Sequence, residues 1–123
     1  MPKTIVTGGS GKVGWWSIQE LVAAGHEVLA IDKVKPVEAL PKGAKYWPVE
    51  MLNLGEVYQA LAGADYVCHI GAIPNPTGFP GATTFQNNTI ATYHVFQAAV
   101  DLGVQKIIYT SSEMVYGFLD GQK

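Results

Sequence analysis

The chain has a single cysteine, Cys68, in 123 residues. It cannot close an internal disulfide, which excludes a stapled secreted scaffold and fits a reducing cytosol. Charge is also scarce: 15% of residues, for a net −2. Nucleic acid needs a basic stripe, so it is not expected as a partner. No apolar run approaches the roughly 20 residues that a membrane helix requires. Met1-Pro2-Lys3-Thr4 runs straight into an apolar stretch with no small-residue cleavage site, so no signal peptide is read there. Internal repeats, low-complexity tracts and a linker to a second domain are missing too. The expectation is one cytoplasmic domain over residues 1–123, with small molecules as partners and neither nucleic acid nor membrane. Nearly half the residues are hydrophobic, enough for one core.

Breakers and apolar runs divide the chain into an alternating pattern. Thr4–Thr7 is a β-rich run stopped by Gly-Gly-Ser-Gly. From Val13 to Ala24, the residues Val13, Ile18, Leu21 and Val22 recur at helical spacing, and Gly25 sits where a helix-ending glycine belongs. Glu27–Ile31 is a second strand with Asp32 at its carboxyl end. Lys45–Val49 is a weak strand, Leu54–Leu61 a short helix, and 65–70 another strand. Residues 72–83 hold Pro74, Pro76, Pro80, Gly78 and Gly81 and read as a ligand-facing loop. A long helix over Thr84–Leu102 ends at Gly103, and Lys106–Ser111 forms the last strand. Strands nearly continuous in apolar residues are covered on both faces by helices. With right-handed crossovers, the pattern predicts a doubly wound parallel α/β sheet of about five strands in the order 3-2-1-4-5.

The first turn carries the chemistry. Gly8, Gly11 and Gly14 recur every third residue between the first strand and the first helix. Gly8 suits a tight turn, Gly11 close backbone approach to a pyrophosphate, and Gly14 close packing of helix on strand. The amides of the first helical turn, including those of Lys12 and Val13, and the helix dipole favour phosphate charge. Asp32 follows eighteen residues after Gly14, where a carboxylate accepts both ribose hydroxyls of an adenosine. It would repel a 2′-phosphate, so NAD is favoured over NADP, although Lys33 or Lys35 could reach such a phosphate. A triphosphate loop is excluded, because Gly11-Lys12 is followed by Val13 rather than Ser or Thr. A flavin-binding domain is disfavoured by Asp32 and the glycine spacing.

Taken in order, "TGGSGKVG", "EVLAID", "VCHIGA", "NNTIATYHVFQAA" and "IIYTSSEMVYG" resemble the NAD-dependent epimerase/dehydratase family, the extended short-chain dehydrogenases/reductases. The resemblance covers essentially the whole chain and implies a Rossmann-like fold. Family members act mostly on nucleotide sugars, and relatives oxidise uronic acids; "SSEMVYGF" with "TYHVFQAA" looks somewhat like the uronate dehydrogenase branch. The resemblance gives Gly8, Gly11 and Gly14 to the pyrophosphate and Asp32 to the adenosine ribose. It sets Glu50 and Met51, in place of an Asp and an aliphatic residue, beside the adenine. Gly71 and Ala72 would line the nicotinamide-side ribose. Asn88 would be largely structural, and Ser112 would hold the substrate oxygen. Trp15, Trp16 and Ser17 depart from the family pattern, and one indole is expected to fill the space of a Leu at position 17.

The family transfers hydride to or from nicotinamide, and a Tyr with a Lys four residues on handles the proton. An unperturbed phenol titrates near ~10, so it needs that cation to act at neutral pH. No tyrosine here is followed by such a lysine; Tyr116 has Asp120 at that place and belongs to a turn by the same resemblance. The expectation is therefore the N-terminal cofactor portion of a longer enzyme, truncated before the substrate-binding part and inactive alone. Its fifth strand would be left as an edge that invites self-association or dimerisation. The alternative is a non-catalytic NAD(P)-binding module with a redox-sensing or regulatory role.

Other conspicuous residues have plain readings. His26, His69 and His94 are scattered, with no second ligand at metal spacing, so no metal is expected. His69 reads as a buried strand residue. Cys68 lies on the opposite strand face, a poor geometry for a Cys-His pair. Ser111 can simply finish a strand, and Phe85, Tyr93 and Phe96 suit core or dimer contact.

Overall fold

The computed structural model describes residues 1–74 and 77–112. Its elements run β1 (Lys3–Thr7), α1 (Lys12–Ala23), β2 (Glu27–Asp32), β3 (Ala44–Pro48), α2 (Leu54–Leu61), β4 (Tyr66–His69), α3 (Gly81–Asp101) and β5 (Lys106–Tyr109). All five strands are parallel, in the order β3-β2-β1-β4-β5. The expected strand order is the observed one, and the α2 bounds coincide.

Strand periodicity divides the core into two layers. Ile5, Leu29 and Val67 lie in register and face α2 and α3, where they meet Val57, Leu61, Val95 and Ala98. Their neighbours Val6 and Ala30 face the other way, onto Ile18 of α1. A strand covered on both faces cannot alternate apolar with polar, and this is why β1 and β2 read as unbroken apolar runs. The edge strands β3 and β5 are more open, with Trp47 44% and Ile108 57% exposed.

Helix ends follow backbone chemistry. Gly25 (φ +92°) and Gly103 (φ +72°) turn the chain just past α1 and α3 in the left-handed region that side chains avoid. Asn53 caps α2 by accepting from Glu56 N at 3.1 Å. One boundary differs from expectation. α3 begins at Gly81 rather than Thr84, one turn earlier, with Pro80 at its cap. A glycine costs little there, because first-turn amides have no intrahelical partner whatever the residue. The loop after β4 is correspondingly shorter. β5 ends at Tyr109, two residues before the expected Ser111.

Asn88 on α3 holds that loop with both ends of its amide. Its Oδ1 accepts from Ile73 N (2.8 Å) and its Nδ2 donates to Ile73 O (3.0 Å). The expected structural part for Asn88 is what its contacts provide.

His69 is the largest polar side chain of the core, 1% exposed and stacked on Tyr109 at 5.5 Å. Its ring nitrogens meet Thr7 Oγ1 (2.7 Å) and Thr92 Oγ1 (2.9 Å). Burial lowers its pKa from 6.5 to about 4. The unfolded chain therefore binds the proton more tightly than the folded one. The stability this represents is complete above pH 6.5 and drains away as pH falls toward 4. The expected loss between pH 7 and pH 5 is about 2 kcal/mol. Urea unfolding midpoints at the two pH values measure it; a folded His69→Gln variant that shows the same drop would refute the assignment.

Candidate cofactor site

The parallel register brings Thr7, Ile31 and His69 to one level at the carboxyl ends of β1, β2 and β4. β1 is where chain order reverses: the chain leaves it toward β2 on one side and returns to β4 on the other. Ligands of doubly wound sheets bind in the crevice above such a reversal.

The turn from β1 into α1 is packed without room for side chains at three positions. Gly8 has φ +70°, and a Cβ there would stand 2.7 Å from Gly71 Cα. At Gly9 it would meet Ala30 Cβ at 2.6 Å, and at Gly14 it would overlap the backbone of Gly8. Gly14, inside α1, therefore lets the helix pack closely on the Gly8–Gly9 turn at the end of β1. Gly9 was not singled out in the sequence, although the Gly8-Gly9 doublet was the available signal.

Gly11 is different. A Cβ there would meet only Gly8 O, at 3.4 Å, so the protein itself does not require a glycine at this position. It is the cap residue of α1, in extended conformation (φ −83°, ψ 172°), with its own amide on Gly8 O at 3.0 Å. No side chain caps the helix, and no acidic residue lies in its first turn. The amides of Lys12, Val13 and Gly14 thus form the positive end of a twelve-residue helix, beside open backbone at Gly11. Lys12 and Val13 themselves are exposed.

Asp32, at the end of β2, is tied to the same turn. Its Oδ2 accepts from Ser10 N (3.1 Å), and its Oδ1 accepts from Lys33 N (2.7 Å). Ser10 Oγ in turn donates to Val34 O. Two backbone amides aim the carboxylate, and each oxygen keeps a free lone pair for a hydroxyl donor.

Lys33 points its ammonium at Glu50 (3.3 Å), and Glu50 Oε1 accepts from Leu52 N at 3.0 Å. The Glu50 carboxylate thus stands within ion-pair reach of the residue after Asp32. Met51 is half-buried against the α2/α3 layer, and its carbonyl accepts from His94 Nδ1 at 2.8 Å.

Beyond β4, Gly71 N donates to Thr7 Oγ1 at 2.8 Å, and a Cβ on Gly71 would come within 3.0 Å of Gly8 N. Gly71 therefore sits against the glycine turn, and Ala72 follows it, exposed. Ser112 lies three residues past β5 and is exposed. Tyr116 and Asp120 fall outside the described residues. The sequence-marked residues thus gather in two groups. Gly8, Gly11, Gly14, Asp32 and Gly71 converge on the reversal point, while Glu50 flanks it through Lys33.

Trp15 is half-buried and meets Trp16 edge-on at 4.9 Å, while Trp16 and Ser17 both line an open apolar groove beside Ile70 and Ile108. Neither indole belongs to the α1 core layer. Among the described residues, no His, Cys, Asp and Glu side chains cluster as a metal would need, and no helix is long and apolar enough to cross a membrane.

Known proteins share this fold. A family model described as "NAD dependent epimerase/dehydratase family" matches residues 4–123. The 3-beta-hydroxysteroid dehydrogenase of Mycolicibacterium neoaurum is 35% identical over 122 residues, covering 92% of this chain and 32% of that protein. A uronate dehydrogenase mutant from Agrobacterium tumefaciens, complexed with NAD, superposes with a TM-score of 0.75 at 26% identity, over 91% of this chain and 41% of its own. MoeE5, in complex with UDP-glucose and NAD, gives a TM-score of 0.82 at 29% identity, over 97% and 39%. The chain spans about a third of the length of the curated relatives it matches. With a family match that takes in all but its first three residues, the chain belongs to the NAD dependent epimerase/dehydratase family.

Proposed function

We propose that residues 1–123 are the cofactor-binding portion of an NAD-dependent enzyme that epimerises, dehydrates or oxidises a sugar, either a nucleotide sugar or a uronate. One observation carries the reading. Gly8, Gly9 and Gly14 are glycines because the turn has no space, whereas Gly11 faces open space at an uncapped helix end, next to a carboxylate fixed on the same turn. A side chain at Gly11 would fill the place of a pyrophosphate.

On this reading, the amides of Lys12, Val13 and Gly14 hold the phosphates. Asp32 accepts the adenosine ribose hydroxyls, Glu50 and Met51 flank the adenine, and Gly71 and Ala72 line the second ribose. Ser112 orients the substrate oxygen. Bound NAD supplies the carbon that takes up or returns a hydride. NAD is preferred to NADP because Asp32 would face a 2′-phosphate, while Lys33, the residue after it, is paired with Glu50. The sugar class is supported by likeness to a uronate dehydrogenase and to a protein complexed with UDP-glucose. Phe85, Tyr93 and Val100, more than 60% exposed on α3, and the open β5 edge suit self-association, and the proposed location is the cytoplasm.

The alternative reading is a dinucleotide-binding module without turnover. A Tyr-x-x-x-Lys encoded downstream in the same gene decides for the enzyme.

Calorimetry with NAD tests the site. Gly11→Val is expected to keep the fold, judged by circular dichroism, and to lose NAD binding; unchanged affinity refutes the pyrophosphate assignment. Gly14→Ala is expected to destabilise by about 2 kcal/mol or more, because the methyl would overlap the Gly8 backbone. Asp32→Ala is expected to weaken NAD by about tenfold to a hundredfold and NADP by less; equal losses for both refute the ribose contact. The purified 123-residue chain, given NAD with glucuronate or UDP-glucose, should form no NADH. Measurable hydride transfer would show that it carries its own proton acceptor.

A further inference from the structure

Three hydrogen bonds converge on the Thr7 hydroxyl, and their donors can be sorted. Ile70 N (3.0 Å) and Gly71 N (2.8 Å) can only donate, so they occupy both lone pairs of Thr7 Oγ1. The hydroxyl proton must then point along the remaining contact, to His69 Nδ1 at 2.7 Å. His69 Nδ1 is therefore an acceptor. The proton of the neutral ring sits on Nε2 and is donated to Thr92 Oγ1 at 2.9 Å. Every bond in this chain has one permitted direction.

The chain joins three elements. Thr7 ends β1, His69 ends β4 and Thr92 lies on α3. One turn before Thr92, Asn88 holds both backbone groups of Ile73. α3 thus grips the segment after β4 at two points, directly through Asn88 and indirectly through Thr92, His69 and Thr7. Between them lies Gly71, whose backbone touches the first glycine of the α1 turn.

We infer that His69, held as the Nε2–H tautomer, is a positioning residue that orders the Gly71 segment against the Gly8 turn and so sets the shape of the cofactor crevice. The inference rests on the proposed dinucleotide site for its consequence, though not for its geometry. A ring with the proton on Nδ1 would face an oxygen with no lone pair left. Either Ile70 or Gly71 would have to release Thr7, and the junction of the two loops would loosen.

Long-range nitrogen–proton NMR on the 15N-histidine-labelled 123-residue chain reads the tautomer directly, with the His69 signal assigned by its loss in His69→Gln. The expected result is a protonated Nε2 and a bare Nδ1; a protonated Nδ1 overturns the inference. Amide exchange supplies the second measurement. In folded Thr7→Val, the Gly71 and Ile70 amides should exchange about tenfold faster or more, in line with one lost hydrogen bond each; unchanged exchange overturns it. Thr92→Val, which removes the acceptor of Nε2–H, should weaken NAD several-fold, and Thr92→Ser should restore it. Equal affinity in both overturns the link to the crevice. If the unaltered chain bound no NAD, the proposed cofactor site would fail, while the tautomer and the Gly71 exchange would still decide whether His69 orders the loop.

Discussion

Backbone touching backbone, where β1 and β4 diverge, is the constraint on which the rest depends. Gly8 and Gly71 approach so closely that a Cβ on either would press into the other. Gly8 also carries the positive φ that starts the turn, and its carbonyl accepts the amide of Gly11 at 3.0 Å. Three separate demands fall on one residue: left-handed dihedrals, a neighbour within contact, and a carbonyl aimed at the helix cap. Only glycine meets the first two together. The start of α1 and the path of the loop after β4 meet at that contact.

Buried polar groups reinforce what the glycines permit. Thr7 and His69 are essentially inaccessible to water, so their hydrogen bonds must be made within the protein or cost the full desolvation of each group. Apolar residues at the same places would pack but would leave the amides of Ile70 and Gly71 without acceptors. The polar core is thus specific where the apolar core is merely dense. It ties the loop ends to the sheet, while Ile5, Leu29, Val57 and Val95 hold the helices on it.

What the sequence revealed and what it concealed divide by distance along the chain. The glycine turn, the two helix-ending glycines and the alternation of strands with helices are local features, and their positions were legible to within a few residues. The strand order came from the same local pattern, because right-handed parallel crossovers leave few choices. The Thr7–His69 contact, 62 residues apart, has no local signature, and His69 could be read only as buried. Gly9 is needed because Ala30 lies against it, which no neighbouring residue announces. The start of α3 was misplaced because Gly81 counts as a breaker in sequence but is harmless in an unpaired first turn.

The distribution of charge explains how a chain with few cations could hold a doubly charged pyrophosphate. All eight basic residues are lysines, and the one directly after Asp32 is engaged by Glu50. On the proposed reading, the phosphates are therefore met by oriented amides at the end of α1 rather than by a mobile ammonium. Amides fixed in a helix need no reorganisation on binding, and they do not compete for the Asp32 carboxylate as a free lysine would. A carboxylate that keeps its lone pairs selects hydroxyls and rejects a phosphate ester. On the same reading, the arrangement that would welcome one anionic group at the turn would repel a second at the β2 end.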